Sequence, residues 1–317
     1  MKAVLVCLGI ALAVGACKKT GGTGGGGGGG GTGGWLVGSD GLMVNVQTSG
    51  LTRDYPLGSS ATLNGIACRY SGEAWVVGTQ GTLLYTGDAG ASWQPQAVPT
   101  TADLRALATQ DFGPVFVAGD GVLLASNDTG AHWAPIGDGT VSFRAIAAAQ
   151  QAPTVLAVSE DGALFSVENN QLIGRGSFAG ARAIAVSPDG RSAILVGDHL
   201  ISRSSDGGRS WSPLANNGGV RLDDVRLDET GAAIAVGAGG AVAHISAAGD
   251  VTLQRVGTQD LHTIHLSEAE ESDSAAGFTA GDGGQVFITL DGGQTWSAGP
   301  RVGGTVLGLD QIGDGHR

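Results

Sequence analysis

Lysine is nearly absent. Lys2, Lys18 and Lys19 are the only ones in 317 residues, so from Trp35 onward arginine supplies every permanently charged base. All 29 acidic residues but only 14 of the 17 basic ones lie in that region, a net of −15. Such a domain is a poor partner for nucleic acid. Cysteine is scarce too: Cys7 and Cys17 come early, and Cys68 stands alone afterwards. No disulfide framework is possible in the folded part, and Cys68, in the run LNGIAC, reads as a buried small hydrophobe. The apolar run Ala3–Val14 falls short of the roughly 18 residues of a membrane-spanning helix. No segment keeps a 3.6-residue apolar period for a useful length, which excludes a helical bundle. With 42% apolar residues the chain still buries a sizeable core, in one large domain or two small ones.

What is present begins with an address. Lys2 and the apolar run fit the core of an export signal. The run ends Val14-Gly15-Ala16-Cys17, similar to the lipobox of bacterial lipoproteins, where the cysteine receives lipid and becomes the first mature residue. Residues 1–16 are thus expected to be a signal peptide. Residues 17–34, the lipidated Cys17 and the sequence KKTGGTGGGGGGGGTGG, are expected to form a flexible tether. Its 17 residues after the cysteine have a mean reach of roughly 20–25 Å. The expected location is the bacterial envelope, lipid-anchored, and by the absence of Asp after Cys17 the outer membrane, on the periplasmic or the surface side.

Residues 35–317 are repetitive. Trp35-Leu36-Val37-Gly38 recurs 40 residues later as Trp75-Val76-Val77-Gly78. Four good copies of S/T-x-D-x-G-x-x-W follow the same period: TGDAGASW (Asp88, Trp93), SNDTGAHW (Asp128, Trp133), SSDGGRSW (Asp206, Trp211) and TLDGGQTW (Asp291, Trp296). Degenerate copies begin near Val46, Ser166 and Ser246, with no evident substitute for what they lose. Each unit holds four short apolar runs divided by turn residues, as in LRALAT, VFVAGDG, VLLASN and HWAPIG. Four antiparallel strands in about 40 residues make a propeller blade. Six complete blades begin at Leu63, Leu104, Phe143, Ala181, Leu222 and Leu261. A seventh is split, with Val306–Ile312 as its innermost strand and Trp35–Leu57 supplying the other three. The predicted fold is all-β: a single, monomeric seven-bladed propeller whose closing blade joins both ends and removes exposed edges.

The S/T-x-D-x-G-x-x-W motif resembles the Asp-box of BNR-repeat propellers, and the longer unit is similar to the photosystem II assembly and stability factor family across residues 35–312. That resemblance implies a non-catalytic, protein-binding module whose partner is an envelope polypeptide met through an arginine-rich surface. Asp-box propellers also include sialidases, which implies the alternative of a glycan-active or glycan-binding protein. Against it, the sialidase Arg-Ile-Pro motif is missing and the tyrosines, Tyr55, Tyr70 and Tyr85, all come early. No pair of carboxylates stands out for glycoside hydrolysis.

The Asp-box itself reads as a turn device: Asp accepts backbone N–H bonds, Gly supplies a positive φ, and Trp packs its ring over the sheet. One Asp per loop is too few ligands for tight cation binding. Better candidates sit at the second position of the innermost strands, which reads Asn64, Arg105, Arg144, Arg182, Asp223, His262 and Leu307 around the channel. Arg105, Arg144 and Arg182 form a basic arc able to hold carboxylate or phosphate. The competing reading is architectural, with the arginines neutralised by Asp40, Asp120, Glu160, Asp161, Asp198 and Asp282 of the same face. The acidic insertion Ser267–Ser274 reads as a solvated loop. His262-x-x-His265 points to opposite faces of a strand, so metal catalysis has no support, and neither a metal nor a cofactor is expected.

Overall fold

The structure, a computed structural model, describes residues 33–57, 60–69, 72–214, 219–267 and 275–310. The expected lipidation site Cys17, the tether up to residue 32 and residues 268–274 of the acidic insertion lie outside them. The described chain forms seven four-stranded antiparallel sheets. Blades 1 to 6 have the innermost strands Leu63–Cys68, Leu104–Thr109, Phe143–Ala148, Ala181–Val186, Leu222–Leu227 and Leu261–Leu266. In blade 7 the innermost strand is Val306–Asp310, followed outward by Gly33–Gly38, Met43–Gln47 and Thr52–Asp54. The split closure is therefore as the repeat predicts.

The second strands, such as Ala74–Gly78 and Ala193–Gly197, are buried at every residue because neighbouring blades cover both faces. The apolar residues gather in seven clusters between blades. The cluster of Trp35, Val37, Leu63, Ile66, Cys68 and Val76 welds blade 7 to blade 1 and closes the ring. Cys68 is fully buried there. The outer strands of blades 1, 2 and 4, Gln94–Pro95, Ala134–Pro135 and Ser212–Pro213, are only two residues long and end on proline, which blunts the exposed edge.

One boundary moves. The second strand of blade 7 begins at Gly33, two residues before Trp35, because Gly33 pairs with Gln47 and Gly34 with Val46. A side chain at Gly34 would meet the Phe278 ring at 3.3 Å, so the last glycines of the run pack into the sheet. Among the described residues helical structure is limited to three-residue 3-10 turns such as Thr79–Gly81, and none of these helices is long and apolar enough to cross a membrane.

One regular irregularity positions the candidate site. In all seven blades the ladder between first and second strands skips the second residue of the innermost strand: Leu63 pairs with Gly78 and Gly65 with Val77, while Asn64 is passed over. Arg105, Arg144, Arg182, Asp223, His262 and Leu307 are skipped in the same way. Each is a β-bulge, which re-aims one side chain out of the strand's alternation.

Candidate functional site at the channel mouth

The Asp-boxes close the hairpins between third and fourth strands, on the face opposite the start of the innermost strands. In the first, Ser92 N–H donates to Asp88 Oδ1 at 2.9 Å and the Thr86 hydroxyl donates to the same oxygen at 2.7 Å. Gly90 N–H in turn donates to Thr86 Oγ1 at 3.0 Å, with Gly90 at φ +81°. The Ser92 hydroxyl occupies the second carboxylate oxygen at 2.7 Å. His132, Ser210 and Thr295 do the same for Asp128, Asp206 and Asp291. This second donor went unread in the sequence, although all four copies carry Ser, Thr or His just before the tryptophan. The carboxylates are thus saturated by their own turns.

The tryptophans pack over a sheet, but it is the sheet of the preceding blade. Trp93 of blade 1 meets Trp35 of blade 7 edge-on at 5.5 Å, and Trp211 of blade 4 meets Phe178 beyond blade 3 at 5.7 Å. The Asp-box is therefore a staple between blades. Two of the three blades without a good copy do have substitutes, contrary to expectation. Blade 3 turns on Asn169 and Asn170, both at positive φ, with Arg175 bonded to Ser166 and Glu168. In blade 5 the guanidinium of Arg203, from blade 4, donates to the carbonyls of Ser246, Ala247 and Gly231.

Hydrogen bonds hold the Asp128 carboxyl at about 2, through the His132 amide and ring and then the Ser126 hydroxyl. Asp291 sits at about 2 as well, through the Thr295 hydroxyl and amide and then the Thr289 hydroxyl. Their unfolded value is about 3.9. A depressed carboxyl contributes its stability above the unfolded value and loses it as pH falls through the folded one. The urea midpoint should therefore drop between pH 4 and pH 2, and a variant carrying both Asp128→Asn and Asp291→Asn should show a shallower drop over that interval.

At the mouth, the bulged residues meet acids from the turns between second and third strands. Arg105 forms a two-pronged pair with Asp120, Nε at 2.6 Å and Nη2 at 3.0 Å, and approaches Glu160 of blade 3 at 3.6 Å. Arg144 reaches the other oxygen of Glu160 at 2.5 Å. Arg182 Nε lies 3.3 Å from Asp198 and 3.0 Å from Asp223, although its N–H is aligned with neither for a hydrogen bond. His262 stands 2.8 Å from Asp282 and 3.8 Å from Asp223. Asn64 donates to the Leu104 carbonyl of the next blade at 2.8 Å.

Five of the seven second-position residues thus enter two networks. Asp120, Arg105, Glu160 and Arg144 span blades 2 and 3, while Asp198, Arg182, Asp223, His262 and Asp282 span blades 4 to 6. Two members were missed in the sequence: Arg221, 2.9 Å from Asp223 and 2.6 Å from Asp260, and Asp260 itself. Each immediately precedes an innermost strand, the one signal that places them on this face. Two anticipated partners do not join. Among the described residues Asp40 makes no ion pair, and Asp161 turns back to accept the Ser159 hydroxyl of its own turn. The mouth is a ring of mixed sign, not a bare basic arc.

Burial disfavours the charged form of His262, but the hydrogen bonds and charges of Asp223 and Asp282 outweigh it and raise its pKa. Burial likewise opposes ionisation of Asp223, and His262, Arg221 and Arg182 more than offset it, leaving the carboxyl below its ordinary value. His265, three residues beyond His262, is fully buried beside Arg226 at 2.9 Å and Asp310 at 3.7 Å. Among the described residues no three His, Cys, Asp or Glu side chains gather as a metal site.

The comparisons agree on the fold. A solved structure described as YCF48 bound to D1 peptide superposes with a TM-score of 0.58 at 20% identity, covering 75% of this chain and 80% of that one. YCF48 from Cyanidioschyzon merolae gives 0.62 at 18% identity, covering 81% and 97%. An ancestral GH74 enzyme gives 0.61 at 12% identity, covering 79% of this chain and 38% of that one. No curated protein matches in sequence. The model of the photosynthesis system II assembly factor YCF48 family matches residues 31–307, most of the chain. On that match, running through all seven blades, the chain belongs to the YCF48 assembly factor family.

Proposed function

We propose that this protein is a lipid-anchored, non-catalytic propeller of the bacterial envelope, most simply of the outer membrane, that binds a polypeptide over the channel mouth and assists the assembly of its partner. The observation that carries this reading is the family match, together with a solved relative of the same fold described as holding a D1 peptide. Anchoring is supported by the Val14–Cys17 sequence and the glycine run. Gly33 pairs with Gln47 at the foot of an outer hairpin, so the chain enters on the Asp-box face. An anchor on that side leaves the mouth facing away from the membrane.

The mouth suits exchange of ion pairs. A carboxylate of the partner competes with Asp120, Glu160 or Asp198 for a guanidinium, while partner cations compete for the acids. Such exchange selects register and raises the association rate more than it adds affinity. Crosslinking the intact protein in its own membranes and identifying what co-purifies tests the reading. The Arg105→Ala, Arg144→Ala, Arg182→Ala variant should recover at least tenfold less partner. Unchanged recovery would make the ring purely architectural. Cys17→Ser should move the protein to the soluble fraction.

A further inference from the structure

A groove of about 870 Å³ opens between blades 5 and 6 on the Asp-box face, opposite the mouth. Three residues before the end of the second strand stand Trp35, Trp75, Phe116 and Phe278 in four blades, where each ring fills the crevice to the next blade, and the fully buried Leu156 and Ile194 in blades 3 and 4. In blade 5 that place belongs to Ile234, paired across the ladder with His244, and Ile234 lines the groove. The wall is apolar, made by Ile234, Leu266 and Leu253, the last 43% exposed.

The rim carries one sign. Asp228, Glu229 and Asp250 line it and are all exposed. Two arginines lie close and are held by backbone carbonyls, Arg203 within reach of the charge of Asp228. Arg226 is buried against His265 and the Ile264 carbonyl, and Arg203 reaches the Gly231 and Ser246 carbonyls from blade 4. An apolar trough with a cation-seeking rim matches a side chain with an aliphatic stem and a positive head, which lays its methylenes on the wall and its charge among carboxylates. Beside the groove runs the five-residue outer strand Val251–Arg255, hydrogen-bonded on its inner side to Ala241–Ile245. Its outer edge offers backbone groups to an extended chain.

We infer that this groove is a second docking site, taking an extended polypeptide segment that presents lysine or arginine, with the basic side chain in the trough and the backbone along the edge of blade 5. The site is independent of the mouth and of the function proposed there. A second copy of the folded domain is a poor occupant, because that domain has a net charge of −15.

The test uses the full-length protein and a fluorescent Lys-Val-Lys-Val-Lys peptide, read by anisotropy. Wild type should bind it, and the Asp228→Asn, Glu229→Gln, Asp250→Asn variant should bind at least tenfold more weakly. These exposed substitutions keep the turn acceptors, so folding is preserved. Ile234→Trp retains every charge and fills the crevice as Trp75 does, and it too should bind at least tenfold more weakly. Leu253→Asn, at an exposed position, checks the same contact if Ile234→Trp lowers stability. The inference is overturned if wild type does not bind, if the filled-groove and Leu253 variants bind like wild type, or if Glu-Val-Glu-Val-Glu binds equally well. A mass that doubles with concentration and reverts in Ile234→Trp would make a second copy the occupant. A gain in peptide affinity on Lys18→Ala, Lys19→Ala would make it the chain's own leader. Either result overturns an external partner.

Discussion

Gly90→Ala is expected to destabilise the propeller by about 3 kcal/mol, read as a fall in urea midpoint. Two costs combine at this glycine. Its φ of +81° is left-handed, which costs an L side chain about 1–2 kcal/mol. A Cβ there would also lie 2.3 Å from Trp35 Cζ2 and 2.8 Å from Cε2. Trp35 is held by Tyr55 at 4.5 Å and Trp93 at 5.5 Å, so the ring cannot step aside, and overpacking adds about 1–3 kcal/mol. Gly50 provides the control, because it has the same φ of +81° with nothing within 4 Å of an added Cβ. Gly50→Ala should therefore cost only the backbone term. If both substitutions cost the same, the Asp-box does not clamp blade 1 to blade 7. The double variant Trp35→Leu, Gly90→Ala should be less destabilised than the two single effects added together, since the smaller side chain makes room.

Asp224→Ala should cost as much, roughly 3–5 kcal/mol, for a different reason. Asp224 is fully buried in the innermost strand of blade 5. Its Oδ1 accepts the Val225 amide at 2.8 Å, and its Oδ2 accepts the Ile264 amide of blade 6 at 2.9 Å. Alanine leaves two buried amides without acceptors, at about 1–3 kcal/mol each. Asp224→Asn should fall between, since its single oxygen serves one amide while its NH2 faces the other. Burial pushes this carboxyl up to about 7 against the pull of Arg226 and the two amides. A raised value means the contribution is complete below the unfolded pKa of about 3.9 and is lost as pH rises through about 7. The gap between wild type and Asp224→Ala should accordingly narrow from pH 4 to pH 7. A gap that widens would sink this account.

Blade positions were legible because strand and turn signals are local. Alternation, a glycine or Asx turn and the 40-residue spacing of the Asp-boxes locate all seven innermost strands, and the period alone implies the split closure. The height shared by Asn64, Arg105, Arg144, Arg182, Asp223 and His262 was legible for the same reason. Their bulged conformation was not, because a bulge is a property of two paired strands. Nor was the choice of partner. Arg105 takes Glu160 from 55 positions away as well as Asp120 from its own blade, while Asp161, next to Glu160, turns inward to Ser159.

By itself the sequence determined the number of blades, their order, the seam at which the two ends meet, and the acidic, lysine-free character of the folded part. All of these follow from patterns within about 40 residues and from composition. The tertiary structure decided that each Asp-box tryptophan braces the blade before its own, that the mouth arginines are shared among carboxylates instead of forming an open arc, and that a groove opens beside Ile234 between blades 5 and 6. Those outcomes depend on how neighbouring blades meet, and side chains far apart in the chain find their distances only when the ring closes.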